Sequence, residues 1–461
     1  MQTVIWAFFH SCQSKSIAVY SACNNIRQRK MIMAANTDVS LRDAVIYSIY
    51  IRNHTEEGTF LSIVHDLDRI KALGTDIIWF MPIHPIGEKN KKGSLGCPYA
   101  NRDYRTVNPC YGTMEDFRTL VNAIHAHGMK CMIDVVYNHT SPDAVLVTEH
   151  PEFYYRKPDG NFGNKTAEWT DVIDLDYRNP DLWEYQIESL RMWAKIVDGF
   201  RCDVASLVPA AFWEKARAAV AEINPDCIWL AETVHGSFNV FNRIQGQYAG
   251  TDSEMFAAFD MEYDYDIREV FDRYIRGEAP LSLWLEALNL QETAYPDNYI
   301  KMRCLENHDQ PRIASLVKDE KVMRNLTAML FFLKGSTLLY AGQEFLNQHL
   351  PSLFEKDVFR RDEAHNQSGY LARLAEIKKS CLSCHDYFWA SADDEKNLAV
   401  LTRDDGKVRK LGIFSLSSKH NIINVKLKNG DYVNYITGET ISVRDGKLET
   451  RGEPIIFTAS S

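Results

Sequence analysis

GFRCD at 199–203 is a short apolar run that closes on an acid. It reads as a buried strand that delivers Asp203 at its C-terminal end. WLAE at 229–232 and ENHD at 306–309 repeat the pattern with Glu232 and Asp309, and DVVYNH at 134–139 precedes all three. Acids spread over about a hundred residues on separate strands meet when one face of a barrel collects the strand ends. Two close carboxylates and a third helper acid are the equipment for cleaving or remaking a glycosidic bond with retention. One acid at a strand end reads equally well as a loop residue or a helix cap. Four such runs in this order do not.

Outward from these runs, short apolar stretches alternate with helical patterns. Strand candidates begin near 44, 76, 130, 199, 227, 256, 301 and 336. Between them lie amphipathic segments, such as Phe117, Leu120, Val121 and Ile124, or Leu182, Ile187, Leu190 and Ile196. Thr113 with Asp116 forms a helix-start capping pair. Strand–helix alternation implies a parallel sheet, and eight units imply a closed (β/α)₈ barrel, an α/β fold, over residues 36–383. Residues 140–178 are too long for a plain strand-to-helix loop and read as a short excursion domain after strand 3. From 384 to 461 the pattern changes to NLAVLT, KLGIFSL, INVKLK and EPIIFT, interleaved with Asp405-Gly406, Asn429-Gly430 and Asp445-Gly446. Those dipeptides signal hairpins, so this region is expected to be an antiparallel β-sandwich with a structural role.

The chain has 461 residues, 45% of them apolar and 25% charged, the profile of a globular protein with a large core. A net charge of −10 argues against nucleic acid or an anionic membrane as partner. Cys131, Cys202, Cys227 and Cys304 sit in apolar runs as small hydrophobes, and Cys381 with Cys384 is a lone C-x-x-C without a partner pair. That usage fits a reducing cytosol, hence a cytoplasmic protein. VIWAFF (4–9) is too short to span a membrane and lacks a preceding basic segment. Residues 1–35 are read as a disordered extension, with the native start near Met31.

In these runs the chain resembles the α-amylase superfamily of glycoside hydrolases and transglycosylases. AVIYSIYIR (44–52), DIIWFMPIHP (76–85), PYANRDYRTVNPCYGT (98–113) and GSTLLYAGQE (335–344) extend the resemblance over about residues 42–380. The resemblance implies Asp203 as nucleophile, Glu232 as general acid/base and Asp309 as the acid that holds sugar hydroxyls. It implies Tyr99 as an aromatic platform under the sugar, with His139 and His308 as donors to its hydroxyls. Arg201 shares a strand face with Asp203 by the period of two, and is expected to keep that carboxylate ionised.

The pattern also departs from the family. Ser206 and Leu207 stand where many amylases carry Lys-His, which puts long-polymer binding on the leaving side in doubt. Calcium is not required by this reading; Asn138 is a candidate ligand, with Asp174 or Asp176 as helpers, but six or more oxygens are normally needed. NHTEEGTF (53–60) replaces an EF-hand-like run of some relatives, and Val204 is a weak hint of α-1,6 activity. The leading expectation is a retaining α-glycosidase cutting α-1,4 bonds in maltodextrins or related short α-glucans. An α-1,6-active glucosidase, a transglycosylase or isomerase on the same site, and a non-catalytic relative are the alternatives.

Overall fold

The computed structural model describes Ala34 and residues 36–165, 169–417 and 419–460. Eight parallel strands close into a barrel: β1 Val45–Ile49, β2 Ile77–Phe80, β3 Lys130–Val135, β4 Gly199–Cys202, β5 Ile228–Ala231, β6 Met261–Tyr263, β7 Lys301–Arg303 and β8 Ser336–Tyr340. Each pairs with its neighbour in sequence, and β8 closes the ring on β1. The period of two divides the side chains: Trp79, Met132, Leu230, Tyr263 and Leu338 fill the interior, while Tyr47, Ile78, Ile133, Phe200 and Leu339 meet the helical layer. At Gly199 a Cβ would stand 2.7 Å from the Ile228 carbonyl oxygen, so glycine lets β4 and β5 close there.

The capping pair forms at α1 (Met114–Ala126): Asp116 N–H donates to Thr113 Oγ1 at 3.1 Å, and Thr113 N–H donates to Asp116 Oδ2 at 2.8 Å. Phe117, Leu120, Val121 and Ile124 are its buried stripe. Leu182, Ile187 and Leu190 bury one face of α2 (Pro180–Trp193), but Ile196 falls beyond its end. The sixth strand starts at Met261 and not near 256. Phe256, Ala258 and Phe259 are buried in the turns that close a short helix, Asp252–Met255, so that their apolar run mimics a strand.

Between β3 and α2 the described residues of the excursion hold a two-stranded ladder, His139–Thr140 against Ile173–Asp174, a short helix, Val145–Glu149, and a 3-10 turn, Pro151–Phe153. The C-terminal region is two four-stranded antiparallel sheets. β9 (Tyr387–Asp393), β10 (Leu398–Asp404), β11 (Val408–Ser415) and β16 (Ile455–Ser460) form the first. β12 (His420–Asn424), β13 (Gly430–Val433), β14 (Thr440–Arg444) and β15 (Lys447–Arg451) form the second. Asp445 and Gly446, at φ 50° and 66°, make the two-residue hairpin from β14 to β15, and Asp405-Gly406 turns β10 into β11. Asn429-Gly430 makes no hairpin, because β12 pairs with β15 and not with β13.

The disorder expected over 1–35 lies outside the described residues except at Ala34, whose N–H donates to the Phe256 carbonyl at 2.9 Å. Cys131, Cys202, Cys227 and Cys304 are buried thiols, and Cys381 and Cys384 are free. Among the described residues no helix is long and apolar enough to cross a membrane.

Candidate active site

Asp203 and Glu232 each follow the last residue of a barrel strand. Asp203 N–H donates to the Val135 carbonyl and Glu232 N–H to the Cys202 carbonyl, both at 3.0 Å, which fixes both acids at one barrel mouth. Because Phe200 faces the helices, Arg201 faces inward, its guanidinium 5.1 Å from the Trp79 ring and 5.3 Å from that of Tyr263. Its Nη1 donates to Asp134 Oδ1 at 2.9 Å and to Asp203 Oδ1 at 3.0 Å, and its Nη2 lies 2.9 Å from Glu232 Oε2. Three buried carboxylates thus share one cation. The Val204 N–H donates to Glu232 Oε2 at 2.8 Å. Val204 does this in a left-handed conformation, φ 36° and ψ 43°, a costly place for a β-branched residue.

The electrostatics differ from the simple expectation for Asp203. Burial, then the Glu232 charge, push the Asp203 pKa well above the usual carboxylate range, and Arg201 opposes them without winning. Asp134, equally buried, is pushed up to about 7. One guanidinium is shared by three buried carboxylates, so their titration is coupled, and the Glu232 contribution to Asp203 vanishes when Glu232 carries a proton.

Tyr99 joins this cluster to the third acid. Its hydroxyl donates to Asp134 Oδ2 at 3.0 Å and lies 2.7 Å from His308 Nε2; the two rings stack with centroids 5.4 Å apart. His308 Nε2 is 3.2 Å from Asp309 Oδ2. Asp309 is the exposed acid of the set, its side chain 42% accessible. Its loop is anchored by buried Glu306, which accepts from Arg312 Nη1 at 2.6 Å and from Ile313 N–H at 2.7 Å. Burial holds the His308 imidazole down to about 3, so it is neutral. Asn138 Nδ2 donates to His139 Nδ1 at 3.2 Å, which leaves the ring proton on Nε2, 4.0 Å from Asp203 Oδ2. All seven residues expected in the site, Tyr99, His139, Arg201, Asp203, Glu232, His308 and Asp309, meet at this mouth.

Three features escaped the sequence reading. Asp134 stood in a quoted run, but its partnership with Arg201 depends on the β3–β4 register, which makes them Cα partners. Trp169, from the excursion, packs its ring 5.4 Å from His139. The departing pair has its own roles: Ser206 Oγ accepts the Val234 N–H at 3.1 Å, and Leu207 joins an apolar cluster with Val234, Ala249, Trp169 and Phe238.

The family model described as "Alpha amylase, catalytic domain" matches residues 34–379. The chain belongs to the α-amylase family. A second model, "Bacterial Alpha amylase C-terminal domain", matches residues 390–457. An α-amylase of Lactobacillus plantarum is 42% identical in its crystal structure, with a TM-score of 0.89 over 91% of this chain and 100% of that one. A maltogenic α-amylase of Thermotoga neapolitana is 31% identical, with a TM-score of 0.81 over 92% of this chain and 100% of that one. The α-amylase MalA of Haloarcula japonica is 28% identical over 66% of this chain and 44% of its own length. The chain spans about half the length of the first curated relatives it matches.

The family implies calcium in some members, and the surroundings of Asn138 do not fit it. The Asn138 carbonyl accepts from Leu175 N–H at 2.9 Å, and its side-chain amide is turned to His139. Asp174 Oδ2 accepts from Lys165 N–H at 2.7 Å and Oδ1 from Asn164 Nδ2 at 3.3 Å. Asp176 is forked by Arg178 at 2.6–3.1 Å. These oxygens face N–H donors, whereas a hard dication needs six or more turned toward itself.

Proposed function

We propose that the protein is a cytoplasmic retaining hydrolase of α-1,4 bonds in maltodextrins and related short α-glucans. One observation carries this reading: Asp203 and Glu232 stand on the two terminal nitrogens of a single buried guanidinium. That closeness suits direct attack, because retaining enzymes hold their two carboxyls about 5–5.5 Å apart and leave no room for a water between acid and sugar.

In this mechanism the proton held by the coupled acids sits on Glu232, which removes a charge that raises Asp203, so the Asp203 carboxylate attacks the anomeric carbon while the Glu232 carboxyl gives its proton to the leaving oxygen. The C–O bond to the departing sugar breaks and an ester to Asp203 forms. Glu232, now a carboxylate, takes a proton from water, whose oxygen attacks the same carbon and frees Asp203. His139, with its proton on Nε2 and a 4.0 Å gap to Asp203, is set to meet a sugar hydroxyl in that gap. Tyr99 offers a ring face to the apolar side of the sugar. Asp309, exposed and steadied by His308, accepts from sugar hydroxyls.

The second reading, transfer of the glycosyl group to a sugar hydroxyl, is favoured by the apolar cluster of Leu207, Val234, Trp169 and Phe238 close to Asp203 and His139, a surface with few partners for water. Chromatography of products from maltoheptaose, isomaltotriose, panose, trehalose and sucrose tests both. Shorter maltodextrins from maltoheptaose are expected. Longer or rearranged products move the assignment to transfer, and cleavage of isomaltotriose alone makes the enzyme α-1,6-active. No change in any sugar overturns the catalytic reading.

A further inference from the structure

Few aromatic side chains of this protein reach solvent, and two that do stand together. Tyr387 is 77% exposed and Trp389, the one exposed tryptophan among the described residues, is 62% exposed. They lie two residues apart on β9, so both rings leave one face of the strand, about 6.6 Å apart along it. Neither side chain makes a hydrogen bond or a ring contact among the described residues. Single exposed rings are ordinary, but two on one face of one strand form a patch that asks for an occupant.

The sandwich leaves this place open. Phe388 and Ala390 point the other way, into the core that the first sheet shares with the barrel. Trp389 is the Cα partner of Thr402 on β10, and Thr402 that of Leu411 on β11. Leu411 packs in the apolar core between the two sheets. The second sheet thus covers this face at β11 and stops short of β9.

Three features of the surface choose its occupant. The first is the edge. β9 is the outer strand of its sheet, yet Asn289 Nδ2 donates to the Ala390 carbonyl at 2.8 Å and Ala390 N–H donates to Asn289 Oδ1 at 2.8 Å. An amide side chain so placed closes the middle of the edge to a further strand, whether from a peptide or from a second copy. The second is area. Two such rings present about 300–500 Å² at most, whereas a stable protein interface takes about 800 Å² from each partner. The third is the rim. Thr402, half-buried beside Trp389, has a hydroxyl with no hydrogen-bond partner among the described residues, and Ser391 carries an exposed hydroxyl on the same face. Flat apolar rings edged with neutral hydroxyls complement a pyranose, which offers an apolar face and hydroxyls around it.

We infer that Tyr387 and Trp389 form a second carbohydrate-binding surface, on the C-terminal sandwich and apart from the catalytic mouth, where sugar rings of an α-glucan chain stack. That the sugar is an α-glucan rests on the proposed function; the stacking itself does not. A polymer held here by one segment keeps its other segments at a high local concentration around the mouth. Sugars too short to reach both places gain nothing from it.

Electrophoresis of the full, folded chain through cold native gels that contain amylopectin or no polysaccharide tests this, with Tyr387→Ala/Trp389→Ala as the comparison. Both side chains face solvent, so the double variant is expected to melt with the wild type. Amylopectin is expected to retard the wild type, and the double variant to bind it about tenfold more weakly. Both are expected to cleave maltotriose with the same kcat and KM. Equal retardation of the two proteins overturns the inference, and so does a wild type that amylopectin does not retard. A wild type that sediments as a dimer beside a monomeric double variant gives the rings to a second copy and overturns it too. If the double variant does not fold, Trp389→Ala and Trp389→Phe decide. Retardation lost in the first and kept in the second supports stacking, and equal retardation of both counts against it. A wild type that leaves maltotriose uncut removes the proposed function alone, because retardation reads binding and not turnover.

Discussion

Asp134 and Arg201 are direct neighbours in the β3–β4 register, and their side chains meet at 2.9 Å in the closed interior of the barrel mouth. That pairing spends half of Arg201 Nη1 on an acid that the proposed chemistry does not use, leaving Asp203 to share the same nitrogen. The guanidinium therefore acts as the hub on which three carboxylates are aimed.

Removing the hub should be severe. Arg201→Met leaves Asp134, Asp203 and Glu232 without a cation in a dry site, and folding free energy is expected to fall by about 3–5 kcal/mol. Urea denaturation measures this. Arg201→Lys keeps the charge but not the fork, so it should retain more stability while still losing most activity. A loss below about 1 kcal/mol for Arg201→Met, typical of surface ion pairs, would remove the hub from the account.

Asp203→Asn is expected to lower turnover of maltodextrins by roughly three orders of magnitude or more while the melting temperature changes little. Comparable activity in the variant ends the nucleophile assignment.

Glu232→Gln should divide substrates by their leaving groups. Natural glucans need a proton on the departing oxygen, so their cleavage is expected to drop about 10²–10⁴-fold. Aryl glucosides with acidic leaving groups should lose far less in the first step. Equal losses for both kinds speak against an acid role.

His308 supplies a pH test. In the folded chain it binds a proton only near pH 3, whereas unfolded histidine does so near 6.5. Below 6.5 the unfolded chain therefore holds the extra proton. The stability linked to His308 is fully present above 6.5 and is lost as pH falls toward about 3, by ~1.4 kcal/mol per unit. Nitrogen-15 spectra of histidine-labelled protein should show this ring neutral between pH 8 and 5. A midpoint near 6.5 contradicts the buried placement beside Tyr99.

Much of this site was legible because its chemistry sits at strand ends. GFRCD and WLAE each run straight from buried strand to acid, so the sequence spacing alone brings Asp203 and Glu232 to one mouth. What failed was set by pairing or by tertiary contact. The partner of Asp134 follows from the register of β3 with β4, which no local pattern encodes. Phe256, Ala258 and Phe259 are apolar for the sake of a buried turn, and an apolar run of that length does not tell turn from strand. Arg201 was expected to keep Asp203 ionised because the pair was weighed alone; burial first, and then the charge of Glu232 on the neighbouring nitrogen, work against it. Trp169 lies in a loop whose fold no periodicity announces.

The ring that roofs His139 belongs to the inserted segment and not to a barrel strand. Bond-breaking chemistry and the ceiling above it are thus inherited on separate stretches of chain. The register of β3 with β4, which fixes Asp134 beside Arg201, is set within the barrel and not by the inserted segment. A grafted excursion would therefore change what lies over His139 without altering a single barrel strand.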